Sequence, residues 1–164
     1  MAQVSIYNHA ITNGLGEGNP SCLEETSDDG ANTCTEDDEG GSILVLPDTG
    51  TASLYLDGCT IDSSSATNLG GAISTFGVLT MRSCEVRNIS LFQGGAISLR
   101  GKGDGLGGFE PNSGIVVDCT FSEIVFYSLF GVLCTCHTFG NLLVVRGCAF
   151  SNVSSEVGGI GMLW

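Results

Sequence analysis

Basic side chains are scarce: five Lys and Arg stand against 18 Asp and Glu in 164 residues, a formal net charge of −13. A chain so short of cations has no cluster with which to neutralise phosphates, and this excludes nucleic acid as a partner. No run approaches the roughly 18 consecutive apolar residues that cross a bilayer, so no membrane span is expected. The opening residues also lack the basic-then-apolar layout of a secretory signal. Proline occurs three times and charged residues make up only 14%. No helical period of apolar positions lasts beyond two turns. What is plentiful is glycine: 25 residues, about 15% and roughly twice ordinary usage, which favours turns and strands. The length fits one domain, residues 1–164.

The acidity is concentrated. Between Gly14 and Gly41 lie Glu17, Glu24, Glu25, Asp28, Asp29, Glu36, Asp37, Asp38 and Glu39, without one base. The remainder holds nine acids against five bases, a net of −4, so residues 14–41 read as an inserted acidic loop. Residues 100–114 carry six glycines and a proline and read as a second, glycine-rich insertion, unsuited to continuous helix or strand.

One pattern returns five times: Val4-Ser-Ile-Tyr-Asn-His-Ala-Ile11, Leu54-Tyr-Leu-Asp-Gly-Cys-Thr-Ile61, Leu79-Thr-Met-Arg-Ser-Cys-Glu-Val86, Ile115-Val-Val-Asp-Cys-Thr-Phe121 and Leu143-Val-Val-Arg-Gly-Cys-Ala-Phe150. The Ile115 copy reads as one residue shorter. A glycine pair followed by a small and an aliphatic residue alternates with it, at Gly40–Ile43, Gly70–Ile73 and Gly94–Ile97, with weaker versions at Phe130–Leu133 and Gly158–Ile160. His9, Cys59, Cys84, Cys119 and Cys148 are separated by 50, 25, 35 and 29 residues, the longest interval holding the acidic loop and the next the glycine-rich one. A turn of about 25 residues with insertions is the simplest account.

Repeats of that length built from short strands predict an all-β solenoid of about five to six turns, each stable only against its neighbours. Side-chain alternation places Val4, Ile6, His9, Ile11 and Asn13 inside, then Leu54, Leu56, Cys59, Ile61 and Ser63, and Leu79, Met81, Cys84, Val86 and Asn88. It also places Ile115, Val117, Cys119, Phe121 and Glu123 inside, then Leu143, Val145, Cys148, Phe150 and Asn152. The expected core has aliphatic and cysteine ladders, with a polar ladder, chiefly Asn88 and Asn152, turned inward to satisfy backbone groups at a corner.

The alternation of Gly-Gly-Ala-Ile with a strand bearing Cys-x-Phe and Asn resembles the repeats of polymorphic outer membrane proteins. Gly70–Ile73 and Gly94–Ile97 match the tetrapeptide fully, whereas Phe150 and Asn152 lie two apart where that family has three. The resemblance covers most of the chain outside the two loops. It implies a right-handed parallel β-helix, placement outside the cell or on its surface, and an adhesin-like display role.

Strands about 4.8 Å apart would allow Cys59, Cys84, Cys119 and Cys148 to bond between neighbouring turns or to remain free thiols filling the core; buried free cysteine behaves as a small hydrophobe. Cys22 and Cys34 sit in the polar loop, where a disulfide would point to an oxidising compartment. Cys134-Thr-Cys136-His137 has poor zinc spacing and reads as ordinary strand wall. His9 occupies a cysteine position and reads as a core or end-cap residue. Asp28, Asp29, Glu36, Asp37, Asp38 and Glu39 offer oxygens for calcium, but without hand-loop spacing the run reads first as a solvated segment. No other cofactor or metal is expected. Two glycosylation sequons, Asn88-Ile-Ser90 and Asn152-Val-Ser154, would be closed to glycans if those asparagines faced inward.

Polysaccharide lyases and glycoside hydrolases of β-helix form need clustered acids and bases on one outer wall. Arg82 and Arg146, with Asp57 and Asp118 at comparable corner positions, suggest instead a surface salt-bridge column, and net −13 would repel an acidic polymer. The sequence therefore favours a noncatalytic structural or interaction module that meets a protein partner, or itself, through outer walls, loops or ends. A carbohydrate-active enzyme and an accessory subunit of a larger assembly are the alternatives, with an organelle lumen as the alternative location.

Overall fold

The computed structural model describes residues 2–16, 41–45, 52–66, 70–91, 95–99, 102–103, 109–110, 112–127, 131–135, 142–155 and 161–163. Among these the protein is all-β, with no helix. The chain makes five passes through the same three sheets. The first pass runs β1 (Ala2–Tyr7), β2 (Ala10–Thr12) with β3 (Leu15–Gly16), and β4 (Ile43–Val45); the second runs β5 (Ala52–Asp57), β6 (Thr60–Ala66) and β7 (Ile73–Thr75). The third runs β8 (Val78–Arg82), β9 (Glu85–Leu91) and β10 (Ile97–Leu99), after which β11 (Lys102–Gly103) and β12 (Phe109–Glu110) form a small antiparallel pair. The fourth runs β13 (Ser113–Val117), β14 (Thr120–Phe126) and β15 (Leu133–Thr135), and the fifth β16 (Leu142–Arg146), β17 (Ala149–Ser155) and β18 (Gly161–Leu163). All three main sheets are parallel, and each takes its strands in chain order: β1-β5-β8-β13-β16, β2-β6-β9-β14-β17 and β4-β7-β10-β15-β18.

Registry turns the sequence repeats into rows. In the first sheet Val4, Leu54, Leu79, Gly114 and Leu143 align, as do Ile6, Leu56, Met81, Val116 and Val145. Ile11, Ile61, Val86, Phe121 and Phe150 align in the second, and Ile43, Ile73, Ile97 and Leu133 in the third. Side chains from all three sheets meet in one core that includes Leu56, Ile61, Ile73, Met81, Phe121 and Ile97, each essentially without solvent contact. The Phe121 and Phe150 rings stack at 5.0 Å and 9°, which adds about 0.5–1.5 kcal/mol beyond burial.

The fourth copy differs from the sequence reading. Gly114, not Ile115, takes the place of Leu79, so the copy is full-length and Val116 faces in, while Ile115 and Val117 face out. A Cβ on Gly114 would lie 3.0 Å from Leu143 Cδ1 and 2.5 Å from Leu99 Cδ1. The neighbouring leucines thus fill the space the repeat normally gives to its own side chain, and an aliphatic-pattern search cannot see that.

The polar ladder is also corrected. Asn13, Ser63, Asn88, Glu123 and Asn152 are all exposed, with φ of 59°, 57°, 54°, 54° and 50°. A residue in the left-handed region turns its side chain out and hands the inward position to the next one, so Ser64, Ile89, Ile124 and Val153 enter the interior row instead. The five residues before the His9 and cysteine positions repeat the device: Asn8, Gly58, Ser83, Asp118 and Gly147 have φ of 52°, 62°, 49°, 53° and 65°. Ser83 thereby shifts the parity of its pass, so that Met81 and Cys84 both face inward.

The pair Gly70 and Gly71 closes the approach to the third sheet. Gly70 has φ 69°, and a Cβ on Gly71 would stand 2.7 Å from Ile89 Cγ2. The insertions are smaller than predicted: Leu15 and Gly16 pair with β6, Gly41 bonds to Gly70, and residues 113–114 already belong to β13. Residues 17–40 lie outside the described residues.

The registry of the fourth pass makes a direct expectation. Val116→Asp, which buries an unpaired carboxylate, is expected to unfold the chain or to lower its stability by several kcal/mol, on the order of a buried unpaired charge. Ile115→Asp, facing out, is expected to change it by under about 1 kcal/mol. Urea denaturation of the two variants measures both, and equal losses would contradict the assigned facing.

Candidate functional site

Three features carry chemistry that could face a ligand or a partner: the thiol row, a polar network on the second sheet, and the outer face of the first. The thiol row follows from the first corner. On the first four passes the left-handed residue of this corner sends its N–H to the next pass, as in Gly58 to Arg82 O (3.0 Å) and Ser83 to Val117 O (3.0 Å), and two residues after such a residue Glu85 bonds Cys59 O and Thr120 bonds Cys84 O, both at 2.9 Å. The cysteine between them faces inward. Cys59, Cys84 and Cys119 are buried free thiols, and Cys148 is partly buried.

These thiols are hydrogen-bonded. Cys84 and Cys119 donate to the carbonyls of Arg82 (3.1 Å) and Val117 (3.2 Å), Cys59 donates to Ile6 O (3.3 Å), and the Cys84 N–H donates to Cys119 Sγ at 3.4 Å. Cysteine suits the corner because it is small and apolar, yet its sulfur can serve backbone groups there as a weak donor and acceptor. The side-chain contact with the Cys84 thiol, and then burial, push the Cys119 thiol up, while the Cys84 N–H works in the opposite direction. The same side-chain contact draws the Cys84 thiol down against burial.

On the second sheet, Asp62 Oδ1 accepts from Asn88 Nδ2 (2.7 Å) and Ser63 Oγ (2.9 Å), and Oδ2 accepts from Arg87 Nε (2.8 Å). Arg87 Nη1 also reaches Glu85 Oε1 at 3.2 Å. Asn88, Arg87 and Ser63, in that order, hold the Asp62 carboxyl down at about 2. One step along the outward ladder Asn152 Nδ2 donates to Glu123 Oε1 at 2.8 Å. Among the described residues, ion pairing therefore centres on Arg87, and the expected column through Asp57, Arg82, Asp118 and Arg146 does not form: Asp57 aligns with Arg82, but Val117 separates Arg82 from Arg146. The distinction was hidden because it depends on which residue of each corner is left-handed.

The outer face of the first sheet is apolar toward its β13–β16 end. Ile115 and Val144 are neighbours in register and are 42% and 43% exposed; Leu142, on the same face, is 62% exposed. Toward β1 the face carries Tyr7 and Tyr55, whose ring centroids are 5.5 Å apart, with Tyr55 donating to Asp57 at 3.2 Å. The sequence reading missed this surface because it assigned Ile115 to the core.

His9 is exposed beside β1 rather than enclosed. Cys134 lies on β15, in register with Ser98, but its side chain, and Cys136 and His137, lie outside the described residues. So do Cys22 and Cys34 and the calcium candidates Asp28, Asp29, Glu36, Asp37, Asp38 and Glu39. Among the described residues no group of three or more His, Cys, Asp or Glu is placed to hold a metal ion, and no helix is long and apolar enough to cross a membrane. No family model, curated protein or solved structure matches the chain.

The network predicts an acid limb. The folded value of Asp62, about 2, lies below its ordinary 3.8, so its contribution to stability is complete above the ordinary value and is lost as pH falls through the folded one. Denaturation midpoints measured from neutral pH down to pH about 2 should fall less steeply for Asp62→Asn than for the native chain. Parallel acid limbs would contradict this assignment.

Proposed function

We propose that the chain is a right-handed parallel β-helix of five to six turns serving as a noncatalytic, adhesin-like scaffold, exposed outside the cell or on its surface. Three parallel sheets entered in fixed order around one core support the solenoid part of this reading. The likeness of the Gly-Gly-Ala-Ile and Cys-x-Phe repeats to polymorphic outer membrane proteins supports the handedness and the display role.

The observation that carries the contact role is the outward placement of Ile115, Leu142 and Val144. They alternate with inward Gly114, Val116 and Leu143, so the core does not require them to be apolar. Apolar groups clustered on the outer face of a sheet, here on β13 and the edge strand β16, offer a flat surface for a protein partner. Arg82 and Arg146 at its margin are exposed and outside any ion pair among the described residues, free to meet acids on that partner.

Binding of the purified chain to intact cells and to extracellular-matrix proteins tests the proposal. Ile115→Asp with Val144→Asp is expected to weaken binding at least about tenfold, the scale of one interfacial hot spot, with an unchanged β circular-dichroism spectrum. Binding unaffected by the double substitution, or turnover of polygalacturonate by the native chain, would contradict it.

A further inference from the structure

The sequence contains two sequons free of an intervening proline, Asn88-Ile-Ser90 and Asn152-Val-Ser154; Asn19-Pro-Ser21 is blocked by its proline. Inward asparagines would have ruled both out, since a glycan cannot enter a packed core. The structure reverses that premise. Asn88 and Asn152 are exposed, and so are Ser90 and Ser154. Both asparagines occupy the same left-handed corner, at φ 54° and 50°, and lie on one outward row with Glu123 between them.

We propose that Asn88 and Asn152 are a pair of N-glycan acceptor sites. The chemistry is the transfer of an oligosaccharide from a lipid pyrophosphate carrier. The Nδ2–C1 bond forms, the C1–O bond to the carrier breaks, the lipid pyrophosphate leaves, and one Nδ2 proton passes to a base of the transferase. Transfer during import meets an unfolded chain, so the fold decides whether the product is tolerated. The left-handed corner tolerates it at both positions because the side chain leaves the sheet away from the core. The amide keeps one N–H after transfer, and an acidic oxygen stands beside each: Asp62 Oδ1 at 2.7 Å from Asn88 Nδ2, Glu123 Oε1 at 2.8 Å from Asn152 Nδ2. Two strand spacings separate the sites, about 10 Å, so the two glycans would rise side by side from one edge of the second sheet. The apolar face around Ile115 and Val144 belongs to the first sheet, not to the one that bears these asparagines.

Occupancy in the native host rests on the surface or lumenal placement proposed above; acceptor competence does not, and can be read separately. The full chain is translated behind an added signal peptide with microsomes that contain the transferase, and a third sequon at an added C-terminal tag reports import. The expected product carries two glycans beyond the tag, both removed by peptide N-glycosidase with aspartate left at 88 and 152. Ser90→Ala and Ser154→Ala each remove one glycan while leaving the corner asparagine in place. A product glycosylated on the tag but on neither asparagine, or on one of them alone, overturns the proposal, as does a glycan that survives its serine substitution.

Discussion

Each pass of this chain bends at two left-handed positions, one between the first and second sheets and one within the second, and the left-handed residue lets it do so while the backbone stays paired to the next pass. One residue with positive φ reverses the facing of all that follow, while its own N–H continues the hydrogen bonding to the next pass. Eight of these positions hold a residue other than glycine, and for most side chains that conformation costs roughly 1–2 kcal/mol. Asparagine and aspartate bear it best because their short polar side chains bond locally, and they fill five of the eight. The cost is spread across passes that support one another through parallel pairing and a shared core.

The corners also set the chemistry of both surfaces. Inside, the residue after the first corner faces a crowded turn, where a thiol fits and bonds to the carbonyls of Arg82 and Val117. Outside, the second corner places Asn88 against Asp62 and Asn152 against Glu123, so that side chains ejected from the core form a hydrogen-bonded ladder. Neighbouring corners relieve each other as well: a Cβ on Gly58 or Gly147 would strike the side-chain oxygen of Asn8 or Asp118 on the adjoining pass. Glycine on one pass makes room for the polar cap of the next.

Much of the fold could be read from particular residues. The rows through Leu54 and Leu79 and through Leu56 and Met81 followed from alternation, the row through Cys59, Cys84 and Cys119 from the recurrence of the repeat, and the glycine pairs marked a second element in each copy. The rest failed where a single residue changed parity. Ser63, Asn88, Glu123 and Asn152 do not look alike as a set, and nothing in a one-dimensional pattern distinguishes an asparagine that caps from inside from one that bulges out. Gly114 escaped because its missing side chain is supplied by Leu99 and Leu143, one of which is many residues away in sequence. The outward apolar face and the accessible sequons both follow from these corrections, and so were closed to the sequence alone.

Cysteines far apart in sequence are neighbours across parallel strands, each preceded by a left-handed residue. Nuclear Overhauser contacts in isotope-labelled protein test it most directly. Backbone contacts linking 59 to 84, 84 to 119 and 119 to 148 in that order are expected, with positive φ at Gly58, Ser83, Asp118 and Gly147. Cross-strand Hα–Hα contacts of antiparallel pairing at these residues, or contacts that skip a member of the series, would contradict it.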